Sequence, residues 1–158
     1  MSLNLGMVLS GNALERSEHP AIRAGGRSIA YGELGRIARS VAAAVHARGL
    51  APGAHVALML PNVPEFSMAY FGVLYAGCTV VPINVWFVAR EVADQLQDCE
   101  AQLLIAHAAF AEVAAQAAAP SVVPVVWVGG QRTSGFASLC EATPLTRFVD
   151  RDEHDTAV

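Results

Sequence analysis

The chain has 158 residues, a length typical of one domain, and 54% of them are hydrophobic against 15% charged. A chain of this size and composition can bury a core without disulfides or metals, but it has few charges to cover an isolated domain. The net charge of −4 comes without a run of basic residues, which argues against nucleic acid as a partner.

The spacing of cysteine and histidine argues against a disulfide framework and against a metal site. Three widely spaced cysteines, Cys78, Cys99 and Cys140, are typical of free thiols in a reducing compartment such as the cytoplasm. No two of the five histidines are four residues apart, and none neighbours a cysteine. We therefore predict no metal site.

The N-terminus lacks the basic start and long apolar centre of a signal peptide. A long apolar run covers residues 66–81, but it is shorter than the roughly 20 residues that a membrane helix needs. Gly72 and Gly77 also interrupt it. We predict no membrane span.

Before residue 50, the pattern predicts a helix, a hairpin and a second helix. Residues 3–16 are weakly helical, with Asn4 placed to cap them. Short extended runs on either side of Gly25-Gly26 predict a hairpin. Residues 31–48 form the clearest helix, because their apolar side chains recur along one face and Gly49 follows as a cap.

From residue 55 the chain alternates apolar strands with helices. The predicted strands cover residues 55–60, 78–81, 102–106 and 122–128. The predicted helices cover residues 62–76, capped by Asn62, then 88–97, 108–118 and a short turn at 136–141. This alternation predicts the α/β fold class, with a mostly parallel sheet and helices on both of its faces.

The apolar segment 66–86 predicts a buried helix followed by a buried strand. We expect Gly77 to allow the tight turn between them and Pro82 to end the strand at the edge of the sheet. Beyond residue 142 the chain becomes polar, and Thr156-Ala157-Val158 is typical of the start of a further strand. We divide the chain into an N-terminal helix and arm (1–20), an α/β scaffold (21–142) and a polar connector (143–158).

A glycine-rich loop covers residues 128–135 and follows a predicted strand. Such loops can bind phosphate through backbone N–H groups. This one contains neither GxGxxG nor GK[ST], and no strong helix follows it. We interpret it as a surface loop.

The candidate serine nucleophiles also lack a supporting sequence motif. Ser134 and Ser138 lack a GxSxG elbow. A triad of His107, Asp94 and a serine can be written down, but triads are recognised by geometry and not by counts.

Acidic and aromatic residues have structural interpretations. Three acidic residues lie in predicted helices, and we interpret them as part of the solvated helix surfaces: Glu65, Glu91 and Asp98. Three aromatic residues lie near predicted strand ends: Trp86, Phe87 and Trp127. We expect them in the core rather than in a cofactor site. We therefore assign no catalytic, cofactor-binding or metal-binding residue.

Several segments match one set of motifs in order. The run SIAYGEL, from Ser28, resembles T-Y-x-E-L, with Ala30 in place of Thr or Ser. The run GAHVALMLPNVPEF, from Gly53, resembles G-D-x-V-A-x-x-x-x-N-x-x-E-F. The run GVLYAGCTVVPIN, from Gly72, resembles L-x-A-G-A-x-x-V-P-x-N/D, and residues 90–105 resemble R-E-[LV]-x-x-x-L-x-D-[CS]-x-A-x-x-L-[IV].

Together these segments resemble the adenylate-forming enzymes, which include acyl-CoA synthetases, luciferases and adenylation domains of peptide synthetases. The resemblance covers about residues 10 to 110, and Asn84 with Arg90-Glu91-Val92 favours the fatty acyl-CoA ligase branch over the peptide-synthetase domains. It implies an incomplete part of the large N-terminal domain. It also implies a parent reaction in which a carboxylate attacks the α-phosphate of ATP with Mg²⁺ present, and the acyl group then passes to coenzyme A.

The family's phosphate loop with its lysine, its adenine motif, its ribose-binding aspartate and its mobile C-terminal domain match no segment here. The family's functional residues therefore carry over onto no position. We expect an inactive N-terminal fragment, with ATP, Mg²⁺ and CoA belonging to the full-length parent.

Two alternatives remain open. The first is a non-catalytic binding or oligomerisation module, which would associate with itself or with the remainder of the parent ligase through uncovered apolar faces. The second, a small flavodoxin-like nucleotide binder, requires a phosphate loop.

Overall fold

The computed structural model describes residues 4–130 and 135–158. Its α-helices in these ranges are α1 (Met7–Glu15), α2 (Tyr31–Ala47), α3 (Pro64–Tyr75), α4 (Ala89–Asp98), α5 (Ala111–Ala118) and α6 (Phe136–Cys140). Its β-strands are β1 (Pro20–Ala24), β2 (Arg27–Ala30), β3 (His55–Met59), β4 (Thr79–Pro82), β5 (Leu103–His107) and β6 (Val125–Val128). A short 3₁₀ helix (Ala108–Phe110) precedes α5.

The strands form two sheets. β1 and β2 pair antiparallel around Gly25-Gly26, where both residues have positive φ, as a two-residue hairpin turn requires. The second sheet is parallel throughout, in the order β4-β3-β5-β6. The predicted hairpin and parallel sheet are both confirmed.

Helices cover both faces of the parallel sheet. Along β3, Val56 and Leu58 join the apolar cluster beneath α2 and α3, whereas Ala57 and Met59 join the cluster beneath α4 and α5. This alternation follows from the two-residue period of a strand. It explains why the central strands are apolar apart from His55 at the start of β3 and His107 at the end of β5, and it confirms the predicted α/β fold class.

The starts of α3 and α4 differ from the sequence prediction. The residue before α3 is Val63, not Asn62, and Pro64 occupies the first helical turn, where a missing N–H costs nothing. α4 begins at Ala89 rather than residue 88, and the carboxylate of Glu91 in its first turn accepts a hydrogen bond from the Val88 N–H at 3.0 Å.

Gly77 joins α3 to β4 with φ +72°, a conformation that favours glycine. Its carbonyl accepts a hydrogen bond from the Gly53 N–H at 2.8 Å. Pro82 is the last residue of β4, which lies at one edge of the parallel sheet. Both expectations for this segment are confirmed.

Asn4 does not cap the first helix. α1 begins at Met7, with Gly6 in the cap position, and Leu3 lies outside the described residues. The Asn4 side chain is buried instead, and its amide donates to the carbonyls of Leu74 at 2.6 Å and Val149 at 2.9 Å. Asn4 therefore ties the N-terminal segment to two distant parts of the chain.

The C-terminal segment lies along the outer edge of β4. The Val80 N–H donates to the Ala157 carbonyl at 2.9 Å, and the Thr79 hydroxyl donates to the Thr156 carbonyl at 3.0 Å. These residues start to pair with β4 without forming a strand. The division of the chain at residues 20 and 142 stays a prediction.

The last strand is shorter than predicted. β6 begins at Val125, so Pro124 and Val122 precede it. Val122 is exposed and has φ +54°, which no regular strand contains. Of the predicted loop at 129–135, residues 131–134 lie outside the described residues.

Candidate functional site

The carboxyl ends of the parallel strands are the natural place for a site in this fold. β4 and β5 lie on opposite sides of β3, so the chain changes direction between β3 and β5. Ligands of open α/β sheets bind at such a point, beyond the carboxyl ends of the strands. The residues here include Asn62 after β3 and His107 at the end of β5.

The His107 ring stabilises a turn. Its Nδ1 accepts a hydrogen bond from the Ala109 N–H at 3.2 Å, and its ring packs edge-on against Phe110 with centroids 6.3 Å apart. On the other side, a Cβ placed on Gly129 would lie 3.3 Å from Nε2. The ring is thus enclosed by the loops after β5 and β6.

The triad considered from the sequence does not assemble among the described residues. Asp94 lies on the exposed side of α4, where its carboxylate is 3.9 Å from the Arg90 guanidinium. The Ser138 hydroxyl donates to the Gly135 carbonyl at 2.8 Å, and Ser134 lies outside the described residues. No hydrogen bond in the described ranges joins His107 to either Asp94 or Ser138.

A cavity of about 260 Å³ lies beside the end of β6. Glu65 in the first turn of α3, Arg27 and Cys140 of α6 line this cavity. The Glu65 carboxylate lies 3.9 Å from the Arg27 guanidinium. Burial raises the pKa of the Cys140 thiol to about 11, and the nearby Glu65 carboxylate acts in the same direction. The thiol is therefore protonated at neutral pH and a weak nucleophile.

No local spacing in the sequence signals this group. Arg27, Glu65 and Cys140 come from a hairpin, a helix start and a late helix, and only the tertiary fold brings them together. The predicted interpretation of Glu65 as a purely solvated residue is incomplete, because its side chain is only 28% exposed.

The remaining acidic residues have structural positions. Glu91 stabilises the start of α4, as described above. Asp98 is exposed at the last residue of the same helix.

One aromatic prediction is wrong. Trp127 is buried and Phe87 is half-buried, but Trp86 is 85% exposed. The cause is local: the Asn84 side chain accepts a hydrogen bond from the Trp86 N–H at 3.0 Å. This turn holds the backbone after β4 while the indole remains outside the core.

Two observations concern the Mg²⁺ site and the phosphate-binding lysine of the resembled family. Over residues 4–130 and 135–158, no three His, Cys, Asp or Glu side chains are arranged to hold a metal ion. The sequence contains no lysine, so a phosphate-binding lysine is missing. In those ranges, too, no helix is long and apolar enough to cross a membrane.

Comparison with known proteins gives one consistent result. Residues 9–157 match the family described as AMP-binding enzyme. The chain is 33% identical over 113 residues to a 3-hydroxybenzoate–CoA ligase from Aromatoleum sp. (strain CIB), a match covering 69% of this chain and 22% of the relative. The chain thus spans about a fifth of the length of such curated relatives.

Solved structures agree in fold. The N-terminal domain of FACL13 from Mycobacterium tuberculosis is 28% identical, with a TM-score of 0.84 over 98% of this chain and 39% of that one. A long-chain-fatty-acid-CoA ligase from Archaeoglobus fulgidus superposes with a TM-score of 0.89 over 98% of this chain and 33% of that one. At 22% identity, the second match shows the fold alone.

Proposed function

Since the chain belongs to the AMP-binding enzyme family, we propose that it is the N-terminal scaffold of a longer carboxylate–CoA ligase. The family match extends over nearly the whole chain, although the chain spans only about a fifth of its curated relatives. This observation carries the proposal. The parent reaction is the formation of an acyl-adenylate from a carboxylate and ATP, followed by transfer of the acyl group to CoA.

In this proposal the 158 residues contribute structure and not chemistry. The parallel sheet is buried on both faces, and its carboxyl edge holds a protonated thiol and side chains engaged in turns. ATP, Mg²⁺ and CoA then bind to parts of the parent beyond these residues. The three cysteines are free, which supports a reducing compartment such as the cytoplasm.

The acyl substrate is proposed only as a carboxylic acid. The similar proteins carry names that refer to 3-hydroxybenzoate and to long-chain fatty acids. No described residue of this chain distinguishes these two classes.

ATP–pyrophosphate exchange tests the proposal. We expect no carboxylate-dependent exchange from the purified 158-residue chain, whether the acid is aromatic or aliphatic. We expect exchange from the longer gene product that contains it, identified by intact mass in the source cell. Exchange by the short chain would contradict the scaffold role. A longer product without exchange, or an intact mass near 16.6 kDa, would contradict the assignment to a ligase.

A further inference from the structure

A second cavity, of about 380 Å³, lies between α1, α2 and residues 146–150. It shares no lining residue with the cavity beside β6. Its volume falls within the roughly 300–1,000 Å³ of small-molecule sites.

Part of the cavity lining is apolar. Leu14 of α1, which is 85% exposed, and the half-buried Phe148 belong to this part. The Phe148 ring stacks on buried Tyr75, with centroids 5.7 Å apart. The Tyr75 hydroxyl lies 2.9 Å from the hydroxyl of Ser10. This hydrogen bond holds the Tyr75 ring against which Phe148 stacks.

The lining also carries positive charge. Arg39 is half-buried and Arg147 is exposed, and both line the cavity together with Asp150. Within residues 4–130 and 135–158, neither guanidinium forms an ion pair or a side-chain hydrogen bond. Two arginines against one aspartate give the lining a net positive charge.

The charge of Arg39 affects the pKa of Tyr75. Burial raises the pKa of Tyr75, whereas the hydrogen bond with Ser10 and the charge of Arg39 lower it. The positive charge of Arg39 therefore acts on Tyr75, whose ring stacks on Phe148 in the cavity lining.

We propose that this cavity binds a small organic carboxylate with an apolar body. The apolar part contacts Leu14 and Phe148, and the carboxylate binds Arg39 and Arg147, because a planar guanidinium matches a carboxylate with two parallel hydrogen bonds. Binding requires no ATP, since the site involves no phosphate-binding residue. It is therefore independent of the ligase reaction proposed above, whose substrate is assigned to no residue of this chain.

Isothermal titration calorimetry with octanoate at pH 7, without ATP, tests the proposal. We expect saturable binding with a Kd at or below about 1 mM. Octan-1-ol and octylammonium have the same chain without the negative charge, and we expect no saturable binding of either. Amide chemical shifts should move at residues 10–14 and 146–150. Failure of octanoate to saturate, equal binding of octan-1-ol, or shifts confined to other residues would overturn the proposal.

Charge variants test the residues that carry it. We expect Arg39→Gln and Arg147→Gln each to weaken octanoate binding about tenfold, as loss of a charge-assisted hydrogen bond implies. Arg36→Gln is the matched control, because Arg36 lies on the same helix, is exposed and does not line the cavity. Far-ultraviolet circular dichroism checks that each variant folds. Equal weakening by Arg36→Gln and Arg39→Gln would contradict a specific site.

Discussion

At the residue scale, burial controls the reactivity of the thiols. Cys78 is 2% exposed, and burial raises its pKa to about 11 despite the opposing charge of Arg151. Cys140 is raised to about 11 by burial as well. An unfolded cysteine loses its proton near pH 8.5. The folded protein therefore holds these protons more tightly than the unfolded chain does.

A fall in stability at alkaline pH follows from these shifts. Below about pH 8.5 both states are protonated, so the contribution of the thiols is fully present. As the pH rises toward 11, the unfolded thiols ionise first, and the free energy of unfolding decreases. Denaturant unfolding at pH 8 and pH 10 measures this decrease.

A cysteine variant isolates the thiol contribution. We expect the decrease between pH 8 and pH 10 to be smaller in Cys140→Ala than in the parent chain. Cys99→Ala is the control, because the Cys99 thiol is only partly buried, although burial raises its pKa as well. A decrease unchanged by Cys140→Ala would show that this thiol is not the cause.

Two residues show what local patterns cannot predict. The position of Asn4 depends on carbonyls 70 and 145 residues away, and no local motif encodes contacts at that distance. Tryptophan is a residue type expected in the core, but the turn at Asn84 leaves the Trp86 side chain exposed to solvent. The cavity lined by Arg39 and Arg147 also arises only when α2 and the C-terminal segment meet.

At the scale of elements, α2 packs closely on α3. Gly72 lies at the contact, where an added Cβ would overlap the Val41 side chain and lie 3.2 Å from the Ala38 carbonyl oxygen. The missing side chain therefore permits the two helices to approach. Gly11 of α1 is a helical glycine with nothing near its Cβ position.

Opposite effects are expected from the same substitution at these two sites. Gly72→Ala should lower the free energy of unfolding by about 1–3 kcal/mol, because a packed interface must move apart. Gly11→Ala should raise it by up to about 1 kcal/mol, because alanine favours the helix without a clash. Urea unfolding of both variants measures the difference. Stabilisation by Gly72→Ala would contradict the close contact.

Strands and helices with regular periods are the elements that the sequence predicts well. α2 has one continuous apolar stripe, and β3 and β5 are short apolar runs bounded by turns, so propensity and tertiary packing agree. The start of β6 is predicted three residues too early, because Val122 is β-branched and yet adopts φ +54°. A left-handed conformation at valine runs against its intrinsic preference, so only the surrounding fold selects it.

At the scale of the whole molecule, the surface carries several exposed apolar side chains. Trp86 and Val88 lie two residues apart after β4 and are 85% and 61% exposed. Large apolar patches on a protein surface commonly mark contacts with other protein. In the proposed parent, they suit a contact with another part of the ligase.

Self-association of the isolated chain is the expected consequence. We expect sedimentation velocity to show a mass that increases with protein concentration, and Trp86→Ser to reduce this increase by removing the largest exposed apolar group. Val122→Ser is the control, because Val122 is similarly exposed but isolated from this pair in the sequence. A monomer at every concentration would contradict the expectation.

The buried amide of Asn4 has a consequence for synthesis on the ribosome. Its hydrogen bonds reach Leu74 and Val149, so the Asn4 amide can bind both of its native partners only after residue 149 has been made. The strands of the parallel sheet end at Val128. All four strands of that sheet are therefore synthesised before the Val149 carbonyl is available to Asn4.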